Sequence, residues 1–262
     1  MKLQILVSAV KEDARALAEK MNLGTDAIII NQCGENGYEE FMRGSSLIRC
    51  YHFAEKGVGL SRNNALLRAN QDLCLFSDED IVYDDDAALK VVECFEKHPE
   101  ADMLLFNVRV HEDRRTYWNS DFHRVRWYNC GRYPAYSFAL RTARMQEKNL
   151  TYSLYFGGGA KYANGEDSLF ISDCIKAGLK VYAVPVEIGE EVPRPSTWFH
   201  GYDEKFFHDR GVLYHVLYGK LAVLMGMRFL LKNKSEMCGG AIGFSQARAL
   251  LFQGIRDGKK GL

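Results

Sequence analysis

The sequence predicts an α/β fold built on a mostly parallel sheet with helices on its faces. Short apolar runs typical of buried strands alternate with segments whose apolar residues recur at helical spacing. This alternation is characteristic of parallel sheets. One predicted strand, residues 73–76, stops at two carboxylates, Asp78 and Asp80. Ligands bind in this region of such sheets, at the carboxyl ends of the strands.

The bulk composition is that of an ordinary soluble protein. The 262 residues are 47% apolar, which is ample for a large core. Lys plus Arg and Asp plus Glu both number 34, so no global field would concentrate nucleic acid or an anionic membrane. The seven cysteines show neither disulfide nor zinc spacing, and Met1 leads directly into a strand without a signal peptide. We therefore expect reduced thiols in a cytoplasmic protein.

The first 110 residues contain five predicted strands and three predicted helices. Apolar residues at i, i+3, i+4 and i+7 mark a first helix over 14–21 and a third over 88–95. The second helix is expected over 62–69, with Ser61 as its N-cap. The strands are expected at residues 3–7, 26–30, 47–53, 73–76 and 103–110.

Residues 109–144 interleave arginines with aromatic side chains. Such a segment could stack on single-stranded nucleic acid, or it could pack against sugar rings and hold phosphates. It could also be an ordinary packed insertion with a basic face. Because the net charge is zero, we expect no nucleic-acid partner, and the other two interpretations stay open.

A second acidic pair opens a later helix. Glu166 and Asp167 begin a helix that is expected to reach a C-cap at Gly178. The helix dipole favours carboxylates at this end, so capping alone would explain the pair as well as a catalytic role would. After this helix, a strand at 180–184 is expected to end at Pro185, and residues 187–196 are expected to form a loop.

The sequence of the last third of the chain predicts helices. Residues 212–231 are strongly apolar but too interrupted by charge for a membrane span, and residues 244–255 form a second helical stretch. Apolar helices flanked by Lys and Arg could lie on an anionic bilayer, or they could cover the core or a homodimer interface. We therefore expect a catalytic domain over residues 1–205 and a helical C-terminal extension over 206–262.

Three motifs, in order along the chain, resemble those of family 2 glycosyltransferases. Residues 57–65 are similar to the family's Gly-Leu-Ser-x-x-Arg-Asn segment, although here Arg62 follows the serine directly. Residues 78–80 resemble its D-x-D motif, and residues 165–170 resemble its Glu-Asp motif. The order and spacing of the motifs make the resemblance specific. It covers about residues 3–200.

The resemblance implies a GT-A fold with a Rossmann-like sheet and an inverting transfer of a sugar from a nucleotide diphosphate sugar. The acceptor would be a hydroxyl of a saccharide or lipid-linked saccharide, in cell-surface polysaccharide synthesis at the inner face of the membrane. UDP is the family's usual nucleotide. Residues 1–110 would bind the nucleotide sugar, and residues 111–205 would bind the acceptor and carry the catalytic residues.

Glycosyl transfer needs a stabilised leaving group and a base. A divalent cation, Mn²⁺ or Mg²⁺, held by Asp80 and Asp78 would neutralise the diphosphate. Asp167 would deprotonate the acceptor hydroxyl, and Glu166 would bind the acceptor or steady the base. The expected nucleotide-sugar contacts are Ala9, Asn31, Gly59, Arg62, Asn63, Asp78 and Glu79.

Features outside the three motifs leave details open. Residues 7–10 lack the family's Pro-x-Tyr-Asn, and Asn31 stands where an aspartate usually contacts the base, so the identity of the nucleotide stays open. His200 and His208 are further candidate metal ligands, and residues 194–198 could fold over the diphosphate as a lid.

Two alternatives come from other functional classes. Residues 78–82 also fit the D-x-D-x-Val start of a haloacid-dehalogenase-type phosphatase. That class has this motif near the N-terminus and a later Gly-Asp, which the sequence lacks. The other alternative is a catalytically silent sugar-binding protein on the same fold, against which the intact Asp78, Asp80 and Asp167 argue.

Overall fold

The structure is a computed structural model that describes residues 1–112, 115–192, 201–238, 240 and 242–261. Within these residues, ten strands join one sheet. They are β1 Leu3–Ala9, β2 Asp26–Gln32, β3 Gly37–Arg43, β4 Ser46–Phe53, β5 Leu73–Asp78, β6 Ile81–Tyr83, β7 Met103–Arg109, β8 His123–Arg124, β9 Phe138–Arg141 and β10 Val181–Glu191. The helices are α1 Ala14–Lys20, α2 Val58–Arg68, α3 Ala87–Lys97, α4 Thr142–Glu147, α5 Glu166–Lys176, α6 Glu204–Tyr218, α7 Ala222–Lys232, α8 Lys234–Met237 and α9 Phe244–Lys260.

The strand order is β3-β4-β2-β1-β5-β9-β7-β10-β6, with β8 paired to β10. Strands β4, β2, β1 and β5 are mutually parallel, and β7 is parallel to β10. Strands β3, β6, β8 and β9 run antiparallel to their neighbours. This arrangement confirms the predicted α/β class. Because β1 and β5 stay in register up to the pair Ser8–Asp78, both strands end at the same edge of the sheet.

Two apolar layers cover the sheet. Helices α1 and α3 pack on one face, where the predicted helical positions Leu17, Met21 and Phe95 are buried. Helices α2 and α5 pack on the other face with side chains such as Leu66 and Phe170. The periodic positions therefore face the core, as the spacing of apolar residues predicted.

Helix α2 begins earlier than predicted. Gly57 is its N-cap, so the prediction of Ser61 as N-cap is wrong. Ser61 is buried one turn inside the helix, and its hydroxyl donates to Ser8 Oγ at 2.9 Å. The hydroxyl thus ties α2 to the end of β1 instead of capping the helix.

Strand β10 also differs from its prediction. It does not end at Pro185 but continues to Glu191, and its register against β7 shifts between Ala183 and Glu187. Such an irregularity accommodates a residue that cannot donate a ladder hydrogen bond. Residues 187–191 are therefore strand and not loop. Residues 193–200, with the predicted lid and His200, lie outside the described residues.

The apolar stretch 212–231 is divided between two helices. Helix α6 ends at Tyr218, a 3₁₀ turn spans Gly219–Leu221, and α7 follows. Helices α6, α7 and α9 enclose their own small apolar core, which contains Phe207 and Leu251. No helix among the described residues is long and apolar enough to cross a membrane.

Replacing Gly254 with alanine is expected to destabilise the protein by about 1–3 kcal/mol. An added Cβ on α9 would overlap the carbonyl oxygen of His208 on α6. Urea denaturation followed by circular dichroism would show a lower midpoint. Gly24→Ala is the control, since a Cβ there meets no atom within 4 Å. Equal midpoints for both variants would contradict the close packing of α6 on α9.

Candidate active site

One cleft of about 960 Å³ opens at the carboxyl ends of the central parallel strands. Segments that follow β1, β2 and β4 line it, together with residues 78–80 and the first residues of α5. Asp80 and Asp167 therefore share a single cleft, although 87 positions separate them in the sequence. The roles predicted for Asp80, as a metal ligand, and for Asp167, as a base, require both residues to act on one donor. They therefore require one shared cleft.

A buried arginine lies between the two acidic motifs. Arg62 of α2 donates from Nη1 to Asp167 Oδ1 at 2.7 Å and to Glu166 Oε1 at 3.2 Å. Its Nη2 donates to Asp78 Oδ1 at 3.1 Å. The arginine is only 3% exposed, and its guanidinium carbon lies 5.2 Å from the ring centroid of Tyr152. One side chain thus joins the end of β5 to the start of α5.

The electrostatics of this group differ from those of solvated side chains. Burial disfavours a charged guanidinium, but the surrounding carboxylates outweigh that effect and hold the pKa of Arg62 well above its ordinary value. Burial raises the pKa of the Asp167 carboxyl to about 8; Arg62 opposes this rise, and Glu166 and Asp78 add to it. A carboxyl with a pKa near neutrality is suited to exchange a proton with a substrate.

The charge of the cleft fits a divalent cation. Eight acidic and three basic side chains line the cleft. The acidic side chains are Glu12, Glu55, Asp78, Glu79, Asp80, Glu166, Asp167 and Glu191, and the basic ones are Lys11, Lys56 and Arg62. An anionic ligand such as a diphosphate would be repelled by this excess unless a cation came with it. Asp78 and Asp80 offer the hard oxygen ligands that Mg²⁺ and Mn²⁺ prefer.

Glu79 has a backbone partner. Its Oε2 accepts a hydrogen bond from the backbone N–H of Val10 at 2.5 Å, and the residue is only 5% exposed. This bond fixes the segment after β1 against the D-x-D turn. Ala9, which precedes Val10, also lines the cleft.

Asn31 lies behind the cleft wall instead of lining it. Its amide bonds the backbone of Glu12 in both directions, at 2.7 and 3.1 Å, and this pairing fixes the orientation of the amide. Asn31 Nδ2 then faces His52 Nδ1 at 3.2 Å. Because Asn31 Nδ2 can only donate, His52 Nδ1 accepts this hydrogen bond, and the imidazole proton is on Nε2. His52 Nε2 faces Glu39 Oε1 at 3.3 Å.

Glu39, Cys50 and His52 form a cluster of three metal-ligand types on the edge strands. The hydrogen bond from His52 to Glu39 satisfies these two groups without an ion. Burial raises the pKa of the Cys50 thiol to about 12, and Glu39 adds to the rise, so the thiol stays protonated. This cluster is separate from the cleft, which none of the three residues lines.

Gly59 and Asn63 shape the cleft from outside its lining. A Cβ on Gly59 would lie 2.5 Å from the carbonyl oxygen of Ser153, so only glycine permits this approach. The Asn63 side chain bonds the backbone N–H and carbonyl of Tyr152, at 2.7 and 2.9 Å. Both residues hold the ring of Tyr152 under Arg62.

Some residues that line the cleft were not predicted from the sequence as site residues. Lys11, Gln32, Lys56, Tyr136 and Glu191 line it. Lys11, Gln32 and Lys56 follow predicted strands within four residues, and this position is the signal that could have identified them. The others reach the site through chain folding that no local pattern indicates.

His208, by contrast, does not line the cleft. Its Nε2 lies 3.2 Å from Asp257 Oδ2, and its Nδ1 lies 3.5 Å from Asp209 Oδ1. These contacts connect α6 with α9. The prediction of His208 as a ligand of the cleft metal is therefore wrong.

Comparisons with known proteins agree with this geometry. The sequence profile described as Glycosyl transferase family 2 matches residues 15–164, more than half of the chain. No curated protein matches at a significant level. Residues 1–349 of S. aureus TarS in complex with UDP-GlcNAc superpose with a TM-score of 0.62 at 14% identity, over 90% of this chain and 73% of that chain. The mannosyltransferase PcManGT of Pyrobaculum calidifontis, in complex with GDP-Man and Mn²⁺, superposes with a TM-score of 0.55 at 10% identity, over 98% of this chain and 87% of that chain. At these identities the likeness shows the fold alone.

Replacing Arg62 with methionine is expected to lower the free energy of unfolding by about 3–5 kcal/mol at neutral pH, because three carboxylates lose their buried partner. Arg62 opposes the rise that burial causes in the pKa of Asp167, so without the guanidinium this folded-state pKa, about 8 in the wild type, moves further above its unfolded value. The loss should therefore grow as pH rises through about 8 and be smaller below it. Urea denaturation across this pH range measures both effects.

Arg144→Met is the matched control. Arg144 also contacts two carboxylates, those of Asp102 and Glu147, but on the surface. It should change stability little at any pH. If Arg62→Met behaved like this control, the central ion-pair cluster would not stabilise the fold.

Proposed function

The chain belongs to glycosyl transferase family 2, and on this premise we propose that it is an inverting glycosyltransferase that uses a nucleotide diphosphate sugar. The sugar passes to a hydroxyl of a saccharide or lipid-linked saccharide. The observation that supports this proposal is the single cleft in which Arg62 joins the D-x-D carboxylates to the acidic pair of α5.

Asp167 is the proposed general base. Its carboxylate accepts the proton of the acceptor hydroxyl as that oxygen attacks the anomeric carbon, and the nucleoside diphosphate leaves from the opposite side of the sugar. Arg62 holds the Asp167 carboxylate in one orientation through the 2.7 Å bond. Glu166 lies beside the base, contacts the same guanidinium and is placed to bind an acceptor hydroxyl.

Asp80 and Asp78 are the proposed metal-binding residues. Mn²⁺ or Mg²⁺ held by them would neutralise the charge that develops on the diphosphate as the sugar leaves. Ala9, Glu79 and the residues after β2 form the proposed nucleotide side of the cleft, with Asn31, Gly59 and Asn63 supporting it from behind. Arg62 contacts carboxylates in this structure, and its proposed contribution to donor binding is to fix Asp78.

A UDP-sugar is the donor that we propose, and cell-surface polysaccharide synthesis at the inner face of the membrane is the proposed setting. Residues 1–110 serve as the nucleotide-sugar half of the catalytic domain and residues 111–205 as the acceptor half. Residues 206–262 form the C-terminal extension. A thermal-shift screen of nucleoside diphosphates with and without Mn²⁺ tests the donor, because a bound ligand raises apparent stability by mass action.

The variants Asp167→Asn and Asp80→Ala are expected to distinguish loss of the catalytic base from loss of the metal site. Both should reduce release of nucleoside diphosphate from the donor sugar, Asp167→Asn by about 10²–10⁴-fold. Only Asp80→Ala should also abolish the Mn²⁺-dependent thermal shift with nucleoside diphosphate, because Asp167 does not bind the metal. Asp121→Asn changes an exposed carboxylate elsewhere and should behave as wild type. Full turnover in Asp167→Asn would remove Asp167 as the base.

The pH dependence of donor hydrolysis follows from the raised pKa of Asp167. A base must be deprotonated to act, and kcat/KM reports the pKa of the free enzyme, so kcat/KM should rise with pH with a midpoint near 8. Glu166→Gln removes a negative charge that raises this pKa, so its midpoint should move to lower pH. Initial rates measured across the pH range check both expectations. A midpoint that moves upward in Glu166→Gln would contradict the assignment.

A further inference from the structure

Helix α7 packs on its neighbours through a narrow inward seam. Ala222, Gly226 and Leu230 lie at i, i+4 and i+8 and are buried. Gly226 faces the side chain of Leu251 on α9, where an added Cβ would approach to 2.6 Å. This seam anchors the helix and fixes which of its faces points away from the protein.

The outward face of α7 is also apolar. Leu224 and Leu231, two turns apart, are 65% and 61% exposed, and Val223 is 49% exposed. Leu221 in the preceding 3₁₀ turn is 44% exposed. Soluble proteins rarely expose contiguous apolar side chains on one helix unless the surface binds a partner.

The charges within the segment that contains this face have a single sign. Residues 211–235 contain no aspartate or glutamate, although the whole chain has equal numbers of acidic and basic residues. The four cations of this segment are all exposed: Lys220, Arg228, Lys232 and Lys234. Exposed Glu236 follows the segment and accepts a hydrogen bond from Tyr202. Exposed apolar residues interspersed with cations match the chemistry of an anionic lipid surface.

Two exposed aromatic residues lie next to the end of α6, where the chain turns into α7. Trp127 and Tyr128 are 48% and 51% exposed, and the Trp127 ring lies 6.3 Å from that of Tyr218, which directly precedes the turn into α7. Residues 122–146 also contain no acidic residue, and the exposed Arg124 and Arg126 directly precede the pair. Trp and Tyr are enriched at the boundary between lipid and water.

We propose that Trp127, Tyr128, Leu221, Val223, Leu224 and Leu231, named here the α7 surface, dock the protein on an anionic lipid bilayer. The apolar side chains enter the headgroup region while the four cations meet lipid phosphates. A second copy of the chain is a poorer occupant, because a two-fold contact would oppose the same cations to one another.

This inference goes beyond the proposed function by assigning the surface and the lipid class, and it stands on surface chemistry without requiring the transfer reaction. Helix α6, which leads into α7, also contacts the segment beside the cleft. Leu213 of α6 packs against Gly165, which directly precedes the acidic pair of α5. Docking through this surface would hold the acceptor side of the cleft next to a lipid-linked substrate.

Sedimentation of the full chain with phosphatidylcholine vesicles, with and without phosphatidylglycerol, tests the proposal. The protein should bind the anionic vesicles, and high salt should weaken the binding. Leu224→Ser with Leu231→Ser should lower the partition coefficient about tenfold or more, and Arg228→Glu with Lys232→Glu should remove the preference for anionic lipid. Donor hydrolysis should stay unchanged in both double variants, so a failure here is distinct from a failure of the proposed function.

Leu67→Ser with Leu89→Ser is the matched control, since both leucines are exposed, on α2 and α3. This double variant should bind vesicles as wild type does. The proposal is overturned if wild type ignores anionic vesicles, or if the control loses binding as the α7 variant does. It is also overturned if sedimentation velocity shows a dimer that the α7 variant dissociates, because the surface would then join two copies.

Discussion

The buried guanidinium of Arg62 is the interaction on which the rest of the site depends. Its three carboxylate partners lie 16, 104 and 105 positions away in the sequence, at the end of β5 and the start of α5. Burying one charge without partners costs several kcal/mol, and three acidic partners reverse that balance. The cluster therefore holds the donor side of the cleft and the proposed base in one fixed relation, on elements that are themselves anchored in the core.

Regular periodicity made much of the fold predictable, and long-range contacts account for the failures. The apolar residues of helix α1 recur at helical spacing, and strand β5 is a short apolar run, so the type of each element could be predicted. Strand β3 was missed because its side chains alternate between exposed and half-buried at the sheet edge, without an apolar run. Ser61 has the chemistry of an N-cap but bonds Ser8 across the layers. For Arg62, the motif indicated a nucleotide-sugar contact, and only the folded structure shows that carboxylates surround the guanidinium.

Charge distinguishes the cleft from the proposed α7 surface. The cleft has an excess of carboxylates that favours a divalent cation together with an anionic donor. The stretch that contains α7 has only cations beside its exposed leucines. A net charge of zero therefore conceals two strongly charged regions of opposite sign. The proposals assign a metal-bound diphosphate to the first region and anionic lipid to the second.

The central claim is that the D-x-D carboxylates and the base act on one donor in one cleft. Crystals grown with Mn²⁺ and the nucleoside diphosphate that stabilises the protein most would test it, with anomalous scattering used to locate the manganese. We expect one strong anomalous peak bound by the carboxylate of Asp80 and the diphosphate, with Asp167 facing the space next to the terminal phosphate. A peak at Glu39, Cys50 and His52 instead, with no density for manganese or diphosphate in the cleft, would contradict it.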